Sequence, residues 1–184
     1  MKDKQRFNSN LKNLLMREES LDIDDFENDP NLLIDTGYEF VENGNYEEAL
    51  KLFSLGASID DTDPDILNGL GISLCELGKL DESKIVLEKA LRHNPDDAIT
   101  LANLAGVFWE MGDFEKAVYN YTKSLESEPD IDETHLNLIS LYIEAGSLFM
   151  ALISCQNYMQ MNPESIEAKE MMEDIILNLA ISNY

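Results

Sequence analysis

The sequence predicts an all-α protein, built as a stacked array of antiparallel helix pairs. Three observations predict it. Gly44, Gly78, Gly112 and Gly146 recur at intervals of 34 residues. A glutamate stands two residues before each of them, at Glu42, Glu76, Glu110 and Glu144. Large apolar residues return at helical spacing on both sides of every glycine. A fixed period of this length marks a repeat architecture: one helix pair cannot bury its apolar face alone, and stacked pairs can.

Each element has a local justification. With the glycine at position 15, the units run 30–63, 64–97, 98–131 and 132–165, preceded by residues 1–29 and followed by 166–184. In the first helix, position 8 is Gly37, Gly71, Ala105 and Ile139, and position 11 is Phe40, Leu74, Phe108 and Tyr142. The glycine ends that helix, where a left-handed backbone costs a glycine least. Position 16 is Asn45, Lys79, Asp113 and Ser147, and three of these four are side chains suited to cap the next helix. In the second helix, position 17 is Tyr46, Leu80, Phe114 and Leu148. Position 20 is Ala49, Ser83, Ala117 and Ala151, and position 24 is Phe53, Leu87, Tyr121 and Cys155. Small residues at positions 8 and 20 let the two helices approach closely. Pro64, Pro95, Pro129 and Pro163 punctuate the units, since proline starts a helix but cannot continue one.

These residues resemble the tetratricopeptide repeat, the 34-residue helix–turn–helix, best in the second and third units. Thr36, Ile139 and Cys155 depart from the family pattern in the outer units. The resemblance implies a right-handed superhelical solenoid of four repeats with residues 166–184 as a C-terminal capping helix. It also implies a concave face, built by the first helices, that holds a peptide or protein segment.

Carried over position by position, that face contains Ile34, Tyr38 and Glu42 in the first unit and Asn68, Ile72 and Glu76 in the second. Asn103, Trp109 and Glu110 follow in the third, and Leu136, Asn137, Ile143 and Glu144 in the fourth. Trp109, the only tryptophan, is the expected binding anchor, against the alternative of packing on a neighbouring second helix. Asn103 and Asn137 are candidates to bond an extended ligand backbone, against local bonding within their helices. Members of the family that clamp the acidic tails of heat-shock chaperones use groove lysines and arginines. No first helix here contains either, so that subtype is excluded, and the expected ligand is apolar with basic flanks.

Charge narrows the partners further. The net charge is −24. Lys2, Lys4, Arg6, Lys12 and Arg17 against Asp3 give residues 1–17 a net +4, which leaves −28 for residues 18–184. A body this acidic repels phosphate backbones and favours basic or mixed-charge protein partners over nucleic acid. No stretch is long and apolar enough to insert in a membrane, and the N-terminal stretch has no apolar run of signal-peptide length, so a cytoplasmic location is expected. Cys75 and Cys155 lack metal-ligand spacing, and His93 and His135 hold unrelated repeat positions. No nucleophile–base pair or phosphate-binding loop is evident, so no enzyme activity and no cofactor are expected.

At the ends, Phe7, Leu11, Leu14 and Leu15 make a short amphipathic basic helix, followed by an acidic linker through residue 29. Its competing uses are to cap the first repeat, to form a homodimer, to dock in an acidic groove, or to touch a membrane surface. Met172, Ile175, Ile176 and Leu179 form the stripe expected of the capping helix. The expected function is a protein-interaction module: scaffold, adaptor or chaperone. The narrower alternatives are an acidic type III secretion chaperone for a translocator protein, and a regulatory subunit of an enzyme complex.

Overall fold

A computed structural model describes residues 30–181; the amphipathic head and linker at 1–29 lie outside the described residues. Nine α-helices are described and no strand: α1 Pro30–Glu42, α2 Tyr46–Ile59, α3 Pro64–Glu76, α4 Leu80–His93, α5 Ala98–Glu110, α6 Phe114–Ser127, α7 Asp132–Glu144, α8 Leu148–Met161 and α9 Ile166–Ile181. The all-α class expected from the sequence is therefore observed. The chain divides between His93 and Asn94 into two compact units.

The periodic glycines act at the end of every first helix. Gly44, Gly78, Gly112 and Gly146 have φ of 72°, 72°, 76° and 69°. Around each, two backbone bonds close the same motif: Gly112 N–H donates to Trp109 O at 2.8 Å and Asp113 N–H to Phe108 O at 2.9 Å. This is the Schellman ending, which satisfies carbonyls the helix leaves over and turns the chain back within three residues.

In the first unit α1 packs on α2, α2 on α3, and α3 on α4, with α1 also touching α3. Phe53 is the keystone. It is fully buried, and its ring fills the space left by Gly37 and Gly69, where an added Cβ would lie 2.6 Å and 2.2 Å from Phe53 Cζ. Gly71 makes the same room for Leu87, at 2.5 Å. The small residue at position 8 is thus the socket for the large residue at position 24. In the second unit α5 packs on α6, α6 on α7, α7 on α8, and α8 on α9. Ala117 and Ala151 are fully buried, as are Ala49 and Ser83 in the first unit, so position 20 lies in the core throughout. Ile139, Cys155, Tyr158, Ala168 and Ile175 close the core beneath α9.

Two sequence expectations need correction. Of the three position-16 side chains suited to capping, only Asp113 caps, accepting from Lys116 N–H at 3.3 Å; Asn45 and Ser147 make no side-chain cap bond. Two further caps lie before first helices. Asp63 accepts from Asp65 and Ile66 N–H at 2.9 and 3.1 Å, and Asp97 from Thr100 N–H at 2.8 Å. Backbone conformation alone does not separate caps from non-caps at position 16, since Asp113 caps with nearly the ψ of Asn45 and Ser147. Asp63 and Asp97 are extended, with ψ of 122° and 107°, the usual conformation of a cap. The position-16 residues follow a left-handed glycine and have ψ of 62°, 70° and 55°. In α9, Ile175 is buried and Met172 and Leu179 pack on the core, but Ile176 is 54% exposed. At 100° per residue Ile176 falls off the face that Ala168, Met171, Met172, Ile175 and Leu179 share, and Met171 takes its place.

Candidate functional site

In the first unit the candidate residues are partly spent on the fold. Tyr38 packs edge-on against Phe53, with ring centroids 5.2 Å apart, and its hydroxyl donates to Asp65 O at 3.1 Å. Asn68 was expected on a ligand face but is buried at 3% exposure. Ile34 and Ile72 are half-buried, and Glu42 and Glu76 are exposed. Glu76 is not idle: its charge, then burial, then its hydrogen bond to the Tyr46 hydroxyl raise the Tyr46 pKa above the ordinary phenol value.

The second unit gathers its candidates more openly. Trp109 is half-buried, and its indole Nε1–H donates to Glu144 Oε2 at 2.7 Å. The bond links the last turn of α5 to the last residue of α7. A cavity of about 330 Å³ opens here, lined by Trp109, Glu110, Gly112, Phe114 and Glu144. The Schellman turn at Gly112 brings Phe114, the first residue of α6, beside the end of α5. Asn103 and Asn137 are half-buried. Leu136 and Ile143 lean on the core formed by Ile139, Cys155 and Tyr158, so only part of their apolar surface remains open.

The two units use the position-13 glutamate in one way: it accepts from an aromatic side chain of the preceding repeat. Glu76 takes the Tyr46 hydroxyl at position 17. At the matching place in the second unit stands Phe114, which has no hydroxyl, and Glu144 takes the indole of Trp109 instead. Sequence reasoning treated Phe114 as a packing residue and missed it as a wall of the cavity. The available signal was the 35-residue step from Trp109 to Glu144, one repeat plus one residue.

His135 and the cysteines have structural surroundings. The His135 ring stacks on Tyr158 at 4.9 Å, and its Nε2 bonds Pro129 O at 2.7 Å. Cys155 is buried, which pushes its thiol pKa up, and its S–H donates to Ala168 O at 3.1 Å. Among the described residues no helix is long and apolar enough to cross a membrane.

Residues 63–127 match the model of the tetratricopeptide repeat family. No curated protein matches the chain in sequence. Among solved structures, a tetratricopeptide repeat protein from Parabacteroides merdae is similar at 25% identity and TM-score 0.64, covering 80% of this chain; the chain spans 60% of that protein. Pseudomonas aeruginosa pilF is similar at 18% identity and TM-score 0.73, over 82% of this chain and 68% of that one. The first tetratricopeptide domain of Spaghetti (RPAP3), solved with the HSP90 peptide SRMEEVD, is similar at 19% identity and TM-score 0.56, over 62% of this chain and 91% of that one. The glycine endings, the small-to-large sockets and these matches agree: residues 63–127 match the tetratricopeptide repeat model, and the helix pairs have the fold of tetratricopeptide repeat proteins.

Proposed function

We propose that this chain is a non-enzymatic adaptor or chaperone that binds an apolar, basic-flanked segment of a partner protein on the open faces of its first helices. The repeats run 30–63, 64–97, 98–131 and 132–165, and 166–184 caps the last. The observation that carries this reading is the sign of the charge. The helices α1, α3, α5 and α7 contain no lysine or arginine. Their C-terminal ends carry exposed Glu42, Glu76, Glu110 and Glu144. The RPAP3 domain holds a peptide with two glutamates and a terminal aspartate. The same peptide on these faces would meet only carboxylates, so the favoured ligand has the opposite sign.

The test uses a partner captured from native extract and then purified. Trp109→Ala is expected to weaken binding by about 2 kcal/mol or more, roughly thirtyfold, mainly through faster dissociation. Glu76→Lys combined with Glu110→Lys is expected to slow association. A partner whose binding ignores both changes uses other faces or the termini, and the reading is then wrong.

A further inference from the structure

The cavity at the end of α5 is specific in what it offers. Of its lining side chains, only the Trp109 indole has a hydrogen-bond donor, and Glu144 already takes it. Glu110, Glu144, Phe114 and Gly112 bring no side-chain donor. What remains is two carboxylates, an indole ring and a phenyl ring. The α5 helix ends at Glu110 and α7 at Glu144, while α6 begins at Phe114, so helix ends of both signs meet here and the two carboxylates set the charge. Among the described residues Glu110 makes no ion pair. The cavity therefore rejects anions, and it gains little from a purely apolar group, which would desolvate the carboxylates without pairing them.

We infer that this cavity is the seat of a single arginine side chain of the partner, its guanidinium paired with Glu110 and Glu144 and lying against the ring of Trp109. Arginine fits better than lysine on three grounds. Its planar cation stacks on aromatic rings, its fork of donors suits two carboxylates, and it is the more weakly hydrated cation. The volume, about 330 Å³, accommodates a guanidinium with part of its stem. The Trp109–Glu144 bond has a positioning part: it fixes the indole and one carboxylate before the ligand arrives, which lowers the ordering cost of binding. This inference rests on the proposed binding of a basic-flanked segment and names the side chain that segment must supply.

The only tryptophan gives the test a local reporter, since the full chain has one indole N–H resonance. N-acetyl-arginine amide, titrated into the full chain, is expected to move that resonance along a saturable curve. The neutral isostere N-acetyl-citrulline amide is expected to leave it in place. Glu110→Gln should weaken the arginine response at least fivefold. Glu167→Gln, an exposed change of equal charge on α9, should not alter it. Equal responses to arginine and citrulline, or equal losses in the two glutamine variants, would overturn the seat and leave diffuse charge attraction. An indole that responds to arginine only after residues 1–28 are removed would assign the cavity to the chain's own basic head and likewise overturn it. Neither result touches the broader reading, which stands or falls with the purified partner and the Trp109→Ala and Glu76→Lys/Glu110→Lys variants.

Discussion

At the scale of single residues, the fold turns on pairs in which one residue is large because another is absent. Phe53 occupies the volume that Cβ atoms at Gly37 and Gly69 would need. Both glycines lie inside helices, where alanine would have the better intrinsic propensity, so their use reflects space and not conformation. This sets two effects of opposite sign against each other. Gly69→Ala should gain up to about 1 kcal/mol from helix propensity. It should lose roughly 1–3 kcal/mol from forcing the Phe53 ring, whose nearest atom lies 2.2 Å from the new Cβ, out of its rotamer. The expected outcome is net destabilisation in a denaturant titration, and combining Gly69→Ala with Phe53→Leu should recover part of it. A Gly69→Ala chain as stable as the parent would show that Phe53 is free to move and is not a keystone. The pair at Trp109 and Glu144 obeys a different logic, because a charge-assisted bond between exposed groups orients side chains more than it stabilises the fold.

At the scale of elements, what the sequence revealed tracks how local the physics is. The 34-residue glycine period located every first-helix end, because a left-handed turn is a property of a few consecutive residues. The sockets at positions 8 and 20 were legible for the same reason: the repeat register says which residues meet. Capping was less legible, since Asn45, Asp113 and Ser147 all follow a left-handed glycine with similar ψ and only Asp113 makes the cap bond. Site residues were least legible. Asn68, at position 5, is buried, whereas Asn103 and Asn137, at position 6, are half-buried; the position-6 residue of the second unit is Gly69, which receives the Phe53 ring. The last helix tests the capping idea directly. Ile175 and Ala168 on α9 close the core over Cys155 and Tyr158. Removing Ile166–Tyr184 uncovers that apolar face, so the shortened chain is expected to aggregate or to melt lower by roughly 10 °C. Ile176→Ser, on the exposed side of the same helix, should change stability by no more than about 0.5 kcal/mol. If the truncated chain melts with the parent, α9 is not a cap.

At the scale of the whole molecule, two barriers to an acidic ligand are superimposed, and they separate with salt. One is the long-range field of a chain carrying a net charge of −24. It acts on encounter, and it is screened over about 10 Å at 0.1 M salt and about 3 Å at 1 M. The other is the composition of the binding faces, where α1, α3, α5 and α7 bring no lysine or arginine to pair with a carboxylate. Salt does not supply a missing partner. A basic-flanked ligand should therefore associate quickly at low salt and more slowly as salt rises, with its dissociation rate nearly constant, because steering changes encounter more than the bound state. The peptide SRMEEVD, held by the RPAP3 domain, should fail to bind this chain at both ends of the series. At low salt the field opposes it; at high salt the field is gone and only the local chemistry remains. Calorimetry at about 0.05 M and 1 M salt distinguishes the two barriers. Binding that emerges at 1 M would mean that repulsion alone had hidden a competent site, and the composition of the first helices would lose its meaning as a selector. Absence of binding at 1 M, with the basic ligand still held, places selectivity in the missing cations and in the carboxylates around Trp109.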